Sequence, residues 1–161
     1  MNKKIILTIC LVCSFAVGFS FGMIMTANIL SLLVEDYRKS SDKFRKLFRL
    51  MSQWLQMKQE NKHLVSYFEK NDYNNIAIYG MGVIGDIVIK ELVNSNVNVV
   101  YTIDQRADKN SEGFLVSPDS KLKEADVIVI TPITSYGEIK LKLKEKVNCP
   151  IISIEDILYE V

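Results

Sequence analysis

The sequence is short of the residues that build most metal and disulfide sites. It has one histidine, His63, and three cysteines, Cys10, Cys13 and Cys149. None of these shares a metal-ligand spacing, so neither a zinc site nor a disulfide framework is expected, and no metal is assigned. Cys149, alone before Pro150, reads as a small buried hydrophobe at a strand entrance. Glycine and proline are also scarce, 7 and 3 in 161 residues, and neither occurs between residues 36 and 70. No charge at all occurs from Ile5 to Val34. Nor does one sign of charge dominate, with 20 Lys and Arg against 19 Asp and Glu. The balance hides a split. Residues 36–75 hold nine basic and five acidic side chains, and residues 76–161 hold nine and thirteen. An acidic α/β domain is a poor nucleic-acid surface, so no nucleic-acid partner is expected.

What is present begins with that uncharged run. A helix over residues 5–34 would be about 45 Å long, against a bilayer core of roughly 30 Å. We therefore expect a transmembrane anchor over residues 1–35. A cleaved signal peptide competes, because Ser14-Phe15-Ala16 has the small-x-small form of a cleavage site. The run stays apolar well beyond Ala16, which favours the uncleaved anchor. Neither Cys10 nor Cys13 follows the small residue of a lipobox. Arg38, Lys39, Lys43, Arg45, Lys46 and Arg49 follow the run, against Lys3 and Lys4 before it. The positive-inside bias then places the C-terminal side in the cytoplasm, as a single-pass protein of the cell membrane. The same cluster also suits anionic headgroups.

Residues 36–75 read as a helical neck. Phe44, Phe48, Met51 and Leu55 are spaced four, three and four, and Leu47, Leu50, Trp54 and Met57 form an overlapping stripe. Packing against the domain that follows is the favoured role for this wide apolar face, and a dimer helix or partner groove is the alternative. The helix should break at Glu60-Asn61-Lys62, with Asn61 as a left-handed cap. His63 is expected to be a solvated helix residue.

Residues 76–161 alternate strand and helix. Strands are expected at Ile76–Tyr79, Val97–Ile103, Phe114–Val116, Asp126–Thr131 and Pro150–Ile154. Helices are expected from Val83, over Asp119–Glu124, over residues 135–147 and at Glu155–Tyr159. Lys140 to Lys144 alternates like a strand, but a parallel sheet needs a helix there to return the chain. The fold class is α/β, one parallel sheet in the order 3-2-1-4-5, preceded by the transmembrane helix and the neck.

The chemistry concentrates at Gly80-Met81-Gly82-Val83-Ile84-Gly85. A strand leads into it and a helix leaves it, the context in which G-x-G-x-x-G has physical meaning. Gly80 allows the tight turn, Gly82 removes a Cβ where a pyrophosphate approaches, and Gly85 lets the helix pack closely. The helix start offers N–H groups to an anion. Asp104, nineteen residues after Gly85 and at the end of the second strand, is placed to accept a ribose diol. An acid there would repel a 2′-phosphate, favouring NAD-like or UDP-like ligands over NADP. Thr131, Pro132, Thr134, Ser135 and Tyr136 end or follow the fourth strand and line the same cleft. No catalytic residues are assigned.

Several stretches together carry a family resemblance. They are Trp54-Leu55, Lys58, Tyr67-Phe68, Ile76–Gly82, Ile103-Asp104, Ser117-Pro118-Asp119, Asp126–Pro132 and Ile151–Asp156. This pattern resembles the small Rossmann-like modules of bacterial surface-polysaccharide biosynthesis loci. Such modules accompany glycosyltransferases, and similar ones form domains of sugar C-methyltransferases and sugar acyltransferases. The resemblance covers about residues 47–161. It implies a bound NAD or nucleotide-sugar, with Gly80, Gly82, Gly85 and Asp104 as binding positions. It also implies a glycosyltransferase or other polysaccharide-assembly partner. Two function classes are therefore expected. One is a membrane-anchored binding module accessory to polysaccharide biosynthesis. The other is an NAD-dependent sugar epimerase or reductase, completed by a partner chain or a homodimer.

Overall fold

The computed structural model describes residues 3–108 and 113–161, with the side chains of residues 4–13 outside that description. The side chains of Cys10 and Cys13, and residues 109–112 of the polar Gln105–Gly113 stretch, lie outside the described residues. The chain forms two compact units, residues 1–44 and 45–161. Helix α1, Lys3–Gln59, contributes to both.

In the first unit every described side chain from Ser14 to Phe44 is exposed. The helix is long and apolar enough to cross a membrane, with a mean hydropathy of 1.9 over its most apolar window. Three of its described hydroxyls are bonded within the helix. Ser20 donates to the Ala16 carbonyl at 2.8 Å, Thr26 to Gly22 at 3.0 Å and Ser31 to Asn28 at 2.8 Å. A hydroxyl bonded inside its own helix costs less to place in an apolar medium.

The second unit is α/β. After α1 come α2 (Leu64–Lys70), β1 (Asn75–Tyr79), α3 (Val83–Leu92), β2 (Asn98–Ile103) and β3 (Leu115–Val116). Then follow β4 (Val127–Ile130), α4 (Tyr136–Lys144), β5 (Ile151–Ser153) and α5 (Ile154–Glu160). All strand pairs are parallel, in the order β3-β2-β1-β4-β5. This is the expected order. The strand alternation builds a core on each face of the sheet. Ile76, Ile78, Val127 and Val129 face α2, α3, α5 and the end of α1. Ala77, Tyr79, Ile128 and Ile130 face α4. Ile76 pairs with Val99 and Ala77 with Tyr101, so β2 holds one extra residue at Val100. Val100 and Tyr101 consequently pack on the same face.

Asn61 adopts the expected left-handed conformation, φ 56°, and ends α1. Leu50, Trp54 and Met57 are buried in the same core as β1 and β4. The other stripe is not: Phe44, Phe48 and Leu55 are exposed and Met51 marginally so. Packing against the domain is therefore the fate of one stripe only. His63 is exposed at the start of α2, its Nδ1 3.0 Å from the Lys58 ammonium. The helix expected over Asp119–Glu124 does not form. Ser117 takes the local hydrogen bonds instead, accepting the Asp119 N–H on Oγ and the Ser120 N–H on its carbonyl. Such a bond pattern competes with helix. The Lys123 carbonyl is then taken by the Tyr101 hydroxyl at 2.7 Å.

Candidate functional site

The glycine turn lies at the carboxyl end of β1, between the ends of β2 and β4. Its three glycines have different physical reasons. Gly80 has φ +98°, and a Cβ there would meet Pro132 and the Thr131 hydroxyl at 2.8 Å. A Cβ on Gly85 would run into the Gly80 carbonyl. Both glycines are required by the fold itself. A Cβ on Gly82 would meet nothing within 4 Å. Its φ of −101° suits any residue. Gly82 is thus the one glycine of the three whose open side the fold leaves unexplained.

Gly82 is also the N-cap of α3, and no side chain caps that end. The first N–H groups of a helix have no intrahelical acceptor. Val83 stands exposed beside them, while Ile84 is buried in the core. Asp86, exposed in the first turn, partly offsets the positive end of the helix dipole.

The walls of the turn are tied down by hydrogen bonds. Gly80 N–H donates to the Ile103 carbonyl at 2.8 Å. The buried Thr131 hydroxyl donates to the Gly80 carbonyl at 2.8 Å and approaches that of Tyr79 at 3.1 Å. Thr131 and Pro132 therefore act as struts of the turn, and the Thr131 hydroxyl proton is not offered to the cleft. Thr134 is exposed, and Ser135 donates its N–H to the Pro132 carbonyl.

Asp104 sits where expected, at the end of β2, and its carboxylate is fully engaged. Oδ1 accepts the Arg106 backbone N–H and Nε, each at 2.9 Å. Oδ2 accepts the Met81 N–H at 2.8 Å and Arg106 Nη2 at 3.2 Å. Four donors fill the roughly four lone-pair positions of a carboxylate. The same Nη2 reaches the Met81 carbonyl at 2.5 Å. Arg106, together with the backbone donors, holds the Asp104 carboxyl well below its ordinary 3.8, at about 2. Arg106 was not assigned to the site from the sequence. Its position two residues after the acid was visible, but its rotamer across the turn was not.

Tyr136 was expected to line the cleft, but its pairing with Lys140 was missed, although the Tyr-x-x-x-Lys spacing is legible in the sequence. Lys140 Nζ lies 2.7 Å from the Tyr136 hydroxyl. That hydroxyl donates to the Ile151 carbonyl at 3.2 Å. The Ile128 N–H bonds Pro150, so parallel alternation turns the Ile151 carbonyl to the open side of β5. The pair fastens α4 to an edge strand rather than lining the glycine turn.

A cavity of about 520 Å³ lies elsewhere, among Asn75, Val100, Asp126, Lys146 and Cys149. These residues surround the amino ends of the strands. Ligands of open α/β sheets bind beyond the carboxyl ends, so the glycine turn with its open side at Gly82 is the stronger candidate. Among the described residues no group of three or more His, Cys, Asp or Glu could hold a metal ion. Compared with protein-family models, curated proteins and solved structures, the chain matches none.

Proposed function

We propose that residues 45–161 form a non-catalytic binding module for a dinucleotide or nucleotide-sugar, held at the cytoplasmic face of a membrane by the apolar part of α1. The observation that carries the binding half is Gly82. Gly80 and Gly85 are required by contacts within the protein, whereas Gly82 opens on solvent at an uncapped helix start. A diphosphate is the group such a backbone suits. The tether rests on the hydropathy of the first unit and on the basic residues that follow it. A role beside glycosyltransferases in surface-polysaccharide assembly rests on the resemblance alone. The epimerase or reductase alternative draws on the Tyr136–Lys140 pair. Its phenol proton is directed to the Ile151 carbonyl, which argues against a free acid at the cleft.

The test is thermal unfolding of the full chain in nanodiscs with NAD, NADP, UDP-glucose and UDP-N-acetylglucosamine. A ligand at a hundred times its Kd should stabilise the protein by about 2.7 kcal/mol. Gly82→Val should abolish that gain while the unliganded protein unfolds as before. A wild type indifferent to all four compounds would sink the binding reading. External protease on intact cells tests the tether separately, since digestion of residues 45–161 there contradicts a cytoplasmic domain.

A further inference from the structure

We propose that the cavity at the amino ends of the strands is a small-molecule site in its own right, and that it takes a free α-amino acid with an apolar side chain. The cavity measures about 520 Å³, within the roughly 300–1,000 Å³ of ligand pockets. Its floor is Val100, Leu122, Ala125, Val147 and Cys149, all half-buried against the core that faces α4. Two features of the chain create it. The extra residue in β2 brings Val100 onto the same face as Tyr101. Regular alternation would turn Val100 to the opposite face, and bulges re-aim side chains in this way beside functional sites. The chain between β3 and β4 then crosses this face without forming a helix, and its residues 122–126 wall the cavity. The Tyr101 hydroxyl, bonded to the Lys123 carbonyl, holds that wall in place.

The rim supplies charge of both signs, Lys123 and Lys146 against Glu124 and Asp126. A ligand with one charge would face like charges there, whereas a zwitterion finds a partner for each end. Asp126 is the anchor for the ammonium. Its Oδ2 accepts the Asn74 and Asn75 N–H groups at 2.8 and 2.6 Å, which fixes the carboxylate. Among the described residues Oδ1 has no hydrogen-bond partner. Lys146 is the anchor for the ligand carboxylate. One N–H of its ammonium goes to the Pro118 carbonyl, and an ammonium carries three. Burial first, and the Asp126 charge as well, hold the Cys149 thiol above its ordinary 9.0. The thiol therefore stays neutral at neutral pH and serves as apolar floor. The glycine turn lies at the opposite, carboxyl ends of the strands, so this site does not depend on the function proposed above.

The experiment uses the full chain in nanodiscs with Cys10 and Cys13 replaced by Ala, so that Cys149 is the one thiol. Its alkylation by N-ethylmaleimide is timed with L-leucine, L-phenylalanine, isoamylamine and isocaproate. The last two keep the apolar body of leucine but only one charge each. Leucine or phenylalanine at about ten times its Kd should slow alkylation about tenfold, by mass action. The singly charged analogues should bind at least about tenfold more weakly, as expected when a charged hydrogen-bond partner is lost. Thermal unfolding with the same compounds gives a second readout that does not need the thiol. Lys146→Met, at an exposed position, should weaken leucine at least about tenfold and leave isoamylamine unchanged. Asp126→Asn keeps an oxygen for the Asn74 and Asn75 N–H groups, and should weaken leucine while leaving isocaproate unchanged. Indifference to both amino acids in both readouts overturns the proposal. So does isoamylamine or isocaproate binding as well as leucine, which would mark an unselective apolar pocket. Leucine binding that survives both substitutions places the ligand elsewhere and overturns the proposal equally.

Discussion

The indole N–H of Trp54 donates to Glu91 Oε2 at 2.8 Å, joining α1 to the last turn of α3. An acid near a helix C-terminus is unfavourable by itself, because the dipole is negative there. Glu91 is kept by three donors: Trp54, the Lys58 ammonium and the Leu64 N–H at 2.9 Å. Its side chain is only 7% exposed. One carboxylate thus fastens the end of α1, the start of α2 and α3 together, and the neck is bound to the sheet by chemistry as well as by packing.

Removing that carboxylate should be costly. Glu91→Ala leaves the buried Trp54 indole and Leu64 N–H donors without this acceptor, while the part-exposed Lys58 ammonium keeps solvent and His63. The expected loss is about 2–4 kcal/mol of stability, because each buried donor left unsatisfied costs about 1–3 kcal/mol and solvent screens the Lys58 charge. Trp54 emission should shift to the red in the native baseline. Glu91→Gln, which keeps an acceptor, should lose less. Equal and small losses for both would show that the apolar contacts of Trp54 suffice.

The glycines should separate cleanly under substitution to alanine. Gly85→Ala forces its Cβ into the Gly80 carbonyl, and Gly80→Ala adds positive φ to contacts with Pro132 and Thr131. Each should cost about 1–3 kcal/mol in denaturant unfolding, as overpacking does. Gly82→Ala meets open space and should stay within about 0.5 kcal/mol of wild type. A Gly82→Ala loss as large as that of Gly85→Ala would mean the turn is wholly structural.

Much of this arrangement is legible in residue order, and the exceptions have physical causes. Ile76–Tyr79 and Val127–Ile130 are unbroken apolar runs, as strands buried on both faces must be. The helical identity of α4 followed from topology even though Lys140–Lys144 alternates. The fate of the two α1 stripes was not legible, because both are apolar at helical period and only the packed domain chooses between them. Asp119–Glu124 does not form a helix because Ser117 takes the Asp119 and Ser120 N–H groups in local turn bonds. At the site, the glycines and Asp104 were found from spacing. The closure of Asp104 by Arg106 depends on a side-chain rotamer, which spacing does not encode.

Asp104 should make stability acid-sensitive in a defined window. Its carboxyl titrates at about 2 in the folded protein against an ordinary 3.8. The folded state therefore prefers the ionised form, and the stabilisation is complete above the unfolded value. It declines as pH falls below about 4 and is gone once pH passes the folded value near 2. The shift corresponds to at most about 2.5 kcal/mol, and solvent around the exposed Arg106 reduces this to about 1–2 kcal/mol. Asp104→Asn should flatten the stability profile between pH 4 and 2 relative to wild type. An unchanged slope would assign the acid sensitivity to other carboxylates.

The same carboxylate sets the most discriminating test of ligand recognition. Asp104 has no acceptor position left while Arg106 lies across the turn. A ribose diol can reach it only if the guanidinium leaves, so binding must break the contacts that Arg106 makes with Asp104 and the Met81 carbonyl. Arg106→Ala removes this competitor and should tighten a diol-bearing ligand such as NAD. Asp104→Ala should weaken the same ligand by about 1.5–3 kcal/mol, the value of a hydrogen bond to a charged group. Titration calorimetry on the two variants thus expects changes of opposite sign. If both variants weaken binding instead, Arg106 itself contacts the ligand. If Arg106→Ala weakens only the 2′-phosphorylated form, the cleft reads NADP, and Asp104 is a strut that aims the guanidinium.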